Sequence, residues 1–332
     1  MSTHQIKVVR VSELLPHENA DALEIVPIGG WRCVVRKGDY AVGDLAVYVE
    51  PDYVVDVTRP EFAFLDPKNS GKPYRVRAKK LRGVVSYGLL IPADSFHAEG
   101  EDVMGYYGIK RYEPPVAGMG NPDAISRDHW PRVCHDKFDL ENIQHDPHMF
   151  DDVREVVITE KIHGANARYV WQDGRLHIGS RTMWLQPEGN SWWHRAAKNC
   201  PWIEELCREL EGTVIYGEAF GDVQSLKYGC RMGEVRFALF AARMPSGTWV
   251  DQEPLLKLAK TLGGYAAPVL YKGPFDRDIM AALAEMDSTV PGAPAGHMRE
   301  GVVIVPSFER VNGNHNRIAA KFISTRYWES GK

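Results

Sequence analysis

The strongest constraint on the fold is the way short apolar runs are interrupted over residues 1–95. Runs rich in Val, Ile and Tyr are separated by Gly and Asp: Trp31 to Arg36 is followed by Lys37-Gly38-Asp39 and then by Leu45 to Pro51. No stretch of helical period interrupts these runs convincingly. Four or five strands at this spacing predict a small β-barrel over residues 1–95.

The periodicity of apolar residues weakens over residues 96–150, where Pro and Gly residues interrupt it. We interpret this part as a linker with some local structure. The interrupting residues are Pro114, Pro115, Gly118, Gly120, Pro122, Pro131 and Pro147. The same segment holds His129, Cys134, His135, His145 and His148, whose spacing fits no common zinc template, so we expect no metal site there.

Residues 151–332 mix strands and helices and predict a second domain. Runs of period two extend from Val153 to Thr159, and two more flank Asp173-Gly174 as a hairpin. Helices are predicted over 203–210, 252–262 and 277–286, and further strands over 213–220, 234–243, 301–306 and 317–323. The fold class is therefore α+β. Neither G-x-G-x-x-G nor G-x-x-x-x-G-K-[ST] occurs, which disfavours Rossmann and P-loop folds.

Charge and cysteine usage narrow the classes of function. The 332 residues carry 40 basic and 44 acidic side chains, so any nucleic-acid binding must come from a local basic patch. No stretch approaches the 18 apolar residues of a membrane span, and we expect no membrane partner. Five scattered cysteines and a start without an apolar core predict a cytoplasmic protein with reduced thiols.

The segment from Thr159 to Asn166 carries the most chemical information. Lys161 directly follows an apolar strand and precedes a glycine turn at Gly164. A lysine amine becomes a nucleophile where desolvation or a neighbouring cation lowers its pKa, and a glycine lets a ligand approach the backbone. Taken alone, the segment fits a surface lysine at a strand end equally well.

Six short motifs in register resemble those of the covalent nucleotidyltransferases, which include RNA ligases, DNA ligases and capping enzymes. Lys161-x-His163-Gly164-x-Asn166 resembles motif I in its RNA ligase form. The others are Gly179-Ser180-Arg181, Tyr216 to Gly221 around Glu218, Phe237 to Phe240, Glu300-Gly301-Val302-Val303, and Ala320-Lys321. The resemblance is greatest to RNA ligases of the Deinococcus and Naegleria type, and it implies an OB-type barrel in residues 1–95.

The resemblance implies a role for each matching residue. Lys161 is the nucleophile that forms a lysyl-AMP with ATP, and His163 serves the end-joining steps. Glu218 and Glu300 hold Mg²⁺ or Mn²⁺, hard ions that prefer carboxylate and water. Lys321 and Arg181 neutralise phosphate charge. Further nucleotide contacts are expected from Glu160, Ile162, Asn166 and Phe240. Because Glu218 and Glu300 follow Lys161 by 57 and 139 residues, only the fold can bring them together.

Strand alternation adds an expectation for the aromatic residues. Tyr216, Glu218 and Phe220 share one face of their strand, whereas Phe237 and Phe240 point to opposite faces. One of the latter two must belong to the core, and the family pattern favours Phe240 for stacking on adenine. The family's motif V often has a second lysine, which this chain lacks, and the sequence leaves open whether Arg317 helps Lys321.

A run of basic residues marks the predicted barrel. No acidic residue lies between Lys72 and Arg82, and a single strand would put Arg75, Arg77 and Lys79 on one face. We predict that Arg75, Arg77, Lys79, Lys80 and Arg82 contact the phosphates of a nucleic acid.

Together these features predict a monomeric, ATP-dependent RNA ligase that joins 3′-OH and 5′-phosphate ends. The alternatives are a DNA ligase, a capping-type enzyme that uses GTP, and a non-catalytic nucleic-acid-binding protein that keeps the ligase fold.

Overall fold

The computed structural model describes residues 5–112, 123–135, 140–312 and 317–330, and these divide into two compact units. Unit 1 comprises the described residues up to 112, together with 144–147 and 328–330. Unit 2 comprises 123–135, 140–143, 148–312 and 317–327.

Unit 1 is built from short strands, as the interrupted apolar runs predict. They are β1 (Val8–Arg10), β2 (Leu15–Pro16), β3 (Leu23–Ile28), β4 (Trp31–Arg36), β5 (Leu45–Val49), β6 (Tyr53–Val55), β7 (Tyr74–Arg75), β8 (Lys79–Leu81), β9 (Val84–Ser86), β10 (Leu89–Pro92) and β11 (Lys110–Arg111). A short 3₁₀ helix spans Pro60–Leu65.

The strands of unit 1 form four small sheets, in the orders β1-β5-β10, β11-β6-β7, β2-β3-β4 and β8-β9. Alternate residues of β5 pack into two different apolar cores of unit 1. Val47 and Val49 pack with Phe62 and Ile109, whereas Ala46 and Tyr48 pack with Trp31 and others. A strand buried on both faces is what the nearly continuous apolar run Leu45–Val49 predicts.

Unit 2 contains the remaining elements. Its strands are β12 (Glu141–Asn142), β13 (Val156–Lys161), β14 (Gly164–Gln172), β15 (Arg175–Ser180), β16 (Val214–Gly221), β17 (Val235–Arg243), β18 (Val269–Gly273), β19 (Gly301–Pro306) and β20 (Ala320–Ile323). Its helices are α1 (Trp192–Asn199), α2 (Trp202–Glu209), α3 (Gln252–Thr261) and α4 (Arg277–Glu285); α5 (Thr325–Ser330) begins in unit 2 and ends in unit 1.

Two sheets organise unit 2, a five-stranded one in the order β12-β20-β19-β13-β18 and a four-stranded one in the order β15-β14-β16-β17. Helices α1, α2 and α3 pack on the four-stranded sheet through apolar side chains such as Ile203, Leu206 and Leu255. Met280 and Ala284 of α4 pack on the other sheet. Each sheet thereby buries one face, the arrangement that stabilises an α+β domain.

Two predicted features differ from the structure. Residues 96–112 are no linker, because Val103, Tyr107 and Ile109 belong to the core of unit 1 and β11 pairs with β6. The prolines and glycines at 114–122 lie outside the described residues. The predicted single basic strand is two strands in different sheets, β7 and β8, since the chain leaves the first sheet after Arg75 and enters a hairpin.

Some elements carry too weak a pattern to be predicted. Helix α1 lies in the Trp-rich segment, and β18 follows a run of Gly, Ala and Pro that favours a turn. In the parts of the chain that the structure describes, every helix is too short or too polar to span a lipid bilayer.

Candidate active site

Lys161 and Glu300 form an ion pair between neighbouring strand ends. Lys161 is the last residue of β13 and pairs in register with Gly301, the first residue of β19, so Glu300 lies beside the lysine. Lys161 Nζ is 2.6 Å from Glu300 Oε1, and the two side chains are about one-fifth and one-tenth exposed respectively. The antiparallel register therefore joins two residues that are 139 positions apart.

Glu218 reaches the same site from the four-stranded sheet. It lies opposite Asn166 in the register of β14 and β16, and side chains of directly paired residues share one face. The strands approach closely because Gly164 has no side chain: a Cβ there would lie 2.2 Å from the carbonyl oxygen of Ala219. The glycine turn after Lys161 thus brings Glu218 and the lysine together.

The three charges at this site shift one another's pKa. Burial raises the pKa of Glu218 to about 8, and the neighbouring Glu300 carboxylate adds to the rise. Burial also acts to raise the pKa of Glu300, but Lys161 and His163 hold that pKa at about 2. Burial acts to lower the pKa of Lys161, yet Glu300 and Glu218 raise it above its ordinary value. In this state the amine is a paired ammonium ion.

The imidazole of His163 is buried between the segment that follows β16 and helix α5. Its Nδ1 lies 3.3 Å from Glu300 Oε2 and 3.4 Å from the hydroxyl of Tyr327, and its Nε2 lies 3.2 Å from Ser225 Oγ. Its backbone N–H donates to the Tyr228 hydroxyl over 2.7 Å. The structure therefore brings His163 together with the predicted metal ligand Glu300.

Arg181 and Lys321 approach the site from either sheet. Strand β15 ends at Ser180, opposite Ala167, so Arg181 follows beside Asn166 and is close enough to oppose the charge on Lys161. Lys321 pairs with Val303, which pairs with Thr159, so Lys321 and Lys161 lie on the same face of their sheet.

A β-bulge at Phe240 separates the two phenylalanines of β17. Tyr216 pairs with Ala241 and Gly217 with Leu239, which leaves Phe240 as the extra residue. A bulge redirects the side chain it carries. Phe237 lies in the core between the four-stranded sheet and its helices, as predicted for one of the two.

Phe240 is only partly buried and packs against the cluster that contains Ile162, the residue after Lys161. The bulge in β17 lies opposite Tyr216 of β16. In β16 we predict that Tyr216, Glu218 and Phe220 share one face. Tyr216 and Phe220 belong to separate apolar clusters, and only Glu218 faces the other charges.

Two of the predicted nucleotide contacts point elsewhere. The Glu160 carboxylate is fully buried, accepts hydrogen bonds from Ser288 and Thr289, and lies 3.4 Å from Arg299 Nε. Its position in β13, on the opposite face from Lys161, explains this placement. The side chain of Ile162 is 5 % exposed in an apolar cluster. Neither side chain reaches the charges around Lys161.

Among the five basic residues predicted to bind nucleic acid, two form ion pairs with acidic side chains. Arg75 pairs with Asp52 at 2.6 Å and stacks 3.7 Å above the ring of Tyr112, and Lys80 pairs with Glu329. Arg77, Lys79, Lys80 and Arg82 are exposed, and Lys79 Nζ lies 5.2 Å from the centre of the Tyr74 ring. They lie along a turn-and-hairpin segment rather than on the face of one strand.

Arg317 does not supply the second motif V cation. Its guanidinium forms a two-pronged ion pair with Glu309 and stacks 4.4 Å from the ring of Trp249. Its side chain is 7 % exposed. Lys321 is therefore the motif V residue on the face of Lys161.

The histidines of residues 129–148 do not converge on one point. His129 contacts Ser126, His135 contacts the carbonyl oxygen of Met244, His145 contacts Glu50 and His148 contacts Asp151. Among the described residues, no group of three or more His, Cys, Asp or Glu side chains is arranged to bind a metal ion.

Sequence reasoning missed the residues that hold the turn after Lys161. Gln224 Nε2 donates to the carbonyl oxygen of Gly164 over 2.7 Å, and Ser225 and Tyr228 contact His163. All three belong to the segment 222–229, which lies between β16 and β17. Polar side chains between two predicted strands were the available signal, but their partners depend on the fold.

Two family profiles match the chain. An RNA ligase profile matches residues 154–323, just over half of the chain, and an OB-fold domain profile matches residues 5–93. The second match confirms the predicted amino-terminal OB-type barrel. A comparison with curated protein sequences gave no match.

Solved structures of a Naegleria gruberi RNA ligase have the same fold over almost the whole chain. A variant of it without ligand matches with a TM-score of 0.83 and 22 % identity, over 98 % of both chains. Variants of it with ATP and Mn, and with AMP and Mn, both match with a TM-score of 0.81 and 22 % identity. They cover 98 % of this chain and 99 % and 98 % of the respective solved chains.

Proposed function

The chain belongs to the RNA ligase family, and we propose that it is ATP-dependent and joins RNA 3′-OH and 5′-phosphate ends through a lysyl-AMP. The observation that carries this proposal is the Lys161–Glu300 ion pair with Glu218 beside it. The Naegleria gruberi structures with ATP or AMP and Mn support the choice of nucleotide and ion.

In the first step Lys161 Nζ attacks the α-phosphorus of ATP. A P–N bond forms, the bond from the α-phosphorus to the bridging oxygen breaks, and pyrophosphate leaves with that electron pair. The attack needs a neutral amine, whereas the two carboxylates favour the ammonium. Loss of that proton requires that the negative charge of Glu218 and Glu300 be neutralised first.

The donor set around Lys161 fits a hard divalent cation. Two carboxylates crowd together, and burial with the neighbouring negative charge raises the pKa of Glu218 to about 8. Mg²⁺ commonly takes one or two carboxylates and completes its shell with water and phosphate oxygens. The cation, when bound, supplies the charge that neutralises these carboxylates and screens the phosphates.

The remaining side chains orient the nucleotide and the RNA end. We assign phosphate or ribose contacts to Arg181 and Lys321, which flank Lys161 from the two sheets. Asn166 supports a ribose contact, because its Oδ1 is a buried acceptor without a hydrogen-bond partner among the described residues and a ribose hydroxyl can donate to it. Phe240, redirected by its bulge, is assigned to stack on the adenine.

In the second step AMP passes from Lys161 to the 5′-phosphate, and in the third the RNA 3′-hydroxyl attacks that phosphate and expels AMP. We assign His163 to these end-joining steps, and the exposed Arg77, Lys79 and Arg82 to contacts with the RNA backbone. We also propose that the protein acts as a monomer in the cytoplasm, where its five free thiols stay reduced.

Sealing of a nicked duplex with a labelled 5′-phosphate tests this function. We expect sealing with ATP and Mg²⁺ or Mn²⁺ when the 3′-OH strand is RNA, and none above background for Glu218→Ala or Glu300→Ala. Glu253→Ala is the matched control, because Glu253 is an exposed, ion-paired glutamate outside the site.

The same assay distinguishes the alternatives. Equal sealing of DNA and RNA 3′-OH strands would favour a DNA ligase, and activity with GTP alone would favour capping-type chemistry. Binding of the nucleic acid without any sealing would favour a binding protein. Undiminished sealing by both carboxylate variants would contradict the metal-site assignment.

A further inference from the structure

A hydrogen-bonded chain of four polar side chains runs from Ser225 through His163 and Glu300 to the proposed nucleophile, Lys161. Ser225 Oγ lies 3.2 Å from His163 Nε2, His163 Nδ1 lies 3.3 Å from Glu300 Oε2, and Glu300 Oε1 lies 2.6 Å from Lys161 Nζ. Glu300 is thus held at both oxygens, one by the imidazole and one by the amine. Ser225 is the outer end of this chain.

The donor and acceptor roles along this hydrogen-bonded chain follow from the ionised carboxylate of Glu300. An ionised carboxylate only accepts hydrogen bonds, so the nitrogen facing Glu300, Nδ1, must carry a proton. In the neutral imidazole Nε2 is then an acceptor, and the Ser225 hydroxyl donates to it. A hydroxyl at that position therefore favours the tautomer that donates to Glu300.

The rest of the segment 222–229 fixes the backbone on either side of the imidazole. Tyr228 accepts from the N–H of His163, and Gln224 donates to the carbonyl of Gly164. The end of the segment passes close to another loop, because a Cβ on Gly229 would lie 2.1 Å from the carbonyl oxygen of Gly292. Three neighbouring side chains of one segment thus contact two consecutive residues of the turn.

We infer that Ser225 is a positioning residue that orients the imidazole of His163 toward Glu300, and that the segment 222–229 is the support of this turn. The inference rests on the proposed function, since it assigns how one part of that site is held. Ser225 itself touches neither Lys161 nor the reacting atoms; it acts through His163. Because Ser225 is exposed, its substitution leaves the apolar core intact.

Ser225→Ala and His163→Ala, alone and combined, test this inference in two assays: lysyl-AMP formation, and sealing of pre-adenylylated RNA ends. We expect Ser225→Ala to slow the same assay as His163→Ala, by about tenfold, and to leave the other within about twofold. The double variant should be no slower than His163→Ala, because residues acting through one group are not additive. Ser225→Thr, which keeps the hydroxyl, should restore the rate.

Ser246→Ala is the matched control, because it removes an exposed serine hydroxyl that is hydrogen-bonded to Thr248 in its own turn. Additive losses in the double variant, equal slowing of both assays, slowing of the other assay or an unchanged rate in Ser225→Ala would each overturn the inference.

Imidazole resonances of the ligand-free protein separate this inference from the proposed function. The His163 ring signals, identified by their loss in His163→Ala, should shift in Ser225→Ala and stay in place in Ser246→Ala. Unchanged signals in Ser225→Ala would overturn the positioning role even in an active enzyme. A wild-type protein that forms no lysyl-AMP, with shifted signals in Ser225→Ala, would contradict the proposed function alone.

Discussion

At the scale of single residues, the site holds Lys161 as a paired ammonium ion, and we propose that a bound cation frees its amine to attack ATP. The ammonium of Lys161 is stabilised by two carboxylates, and Glu300 in turn owes its low pKa to Lys161 and His163. For Glu218, burial outweighs the nearby Lys161 and the backbone N–H of Gly164, so its pKa is raised to about 8. When Glu218 is ionised in the absence of ligand, two buried carboxylates lie close together, which costs stability and favours cation binding.

The raised pKa of Glu218 predicts how the stability of the fold depends on pH. Its pKa rises from an ordinary 4.5 to about 8 in the folded state, so the folded protein holds this proton more tightly. The stability that this proton gives is complete below pH 4.5 and is lost as the pH rises to about 8. We expect Glu218→Gln to melt a few degrees above wild type at pH 9 and close to it at pH 5.

Thermal melting in a chelator, without nucleotide, measures this difference. Glu253→Gln, an exposed glutamate, is the control and should change the melting temperature little at either pH. A Glu218→Gln protein that melts below wild type at pH 9 would show that the carboxylate is stabilised in the fold, contrary to this account.

At the scale of elements, two sheets meet at the turn between β13 and β14. The sequence predicts both strands and the glycine between them, because the apolar run and the Lys-x-His-Gly pattern are local. It does not predict the bulge at Phe240, since no Gly or Pro marks that place and the pairing with β16 creates it. Nor does it predict that Glu160 is sequestered by Ser288 and Thr289, which follow it by more than 120 residues.

Gly164 gives a prediction about this turn. A Cβ there would lie 2.2 Å from the carbonyl oxygen of Ala219 and 3.0 Å from Cγ of Glu218, so β14 must move away from β16. We expect Gly164→Ala to cost about 1–3 kcal/mol of folding free energy and to slow lysyl-AMP formation at least about tenfold.

Gly105→Ala is the control for this variant, because nothing lies within 4 Å of a Cβ at Gly105. Chemical denaturation and single-turnover label transfer give the two quantities. Wild-type rates in Gly164→Ala would mean that the close approach of the two strands does not set the geometry of the site.

At the scale of the whole molecule, the chain divides into two compact units, and the sequence predicts a barrel followed by a second domain. It places the boundary too early, since the apolar residues of 103–109 are few and their partners lie far away in sequence. It also overstates the basic surface, because Arg75 and Lys80 have acidic partners that a charge run cannot reveal. We propose that the exposed Arg77, Lys79 and Arg82 contact RNA.

Removing two of these charges tests their role. We expect Arg77→Ala combined with Arg82→Ala to weaken RNA binding several-fold and to reduce its salt dependence by about two released counterions. Lysyl-AMP formation should be unchanged, because these residues belong to unit 1 and the lysine to unit 2. The control pair is Lys257→Ala with Lys260→Ala, both exposed on α3. Equal losses in the two pairs would indicate a general charge effect.

The most direct test of the central claim is the mass of the protein after incubation with ATP and Mg²⁺ or Mn²⁺. The protein is first stripped of any bound AMP with pyrophosphate, and the adduct is then located by peptide mapping. Lys272→Ala, which removes an exposed, ion-paired lysine, is the control for Lys161→Ala. We expect one AMP on Lys161 in wild type and in Lys272→Ala, and none in Lys161→Ala. No adduct in wild type, or an adduct on another residue, would contradict it.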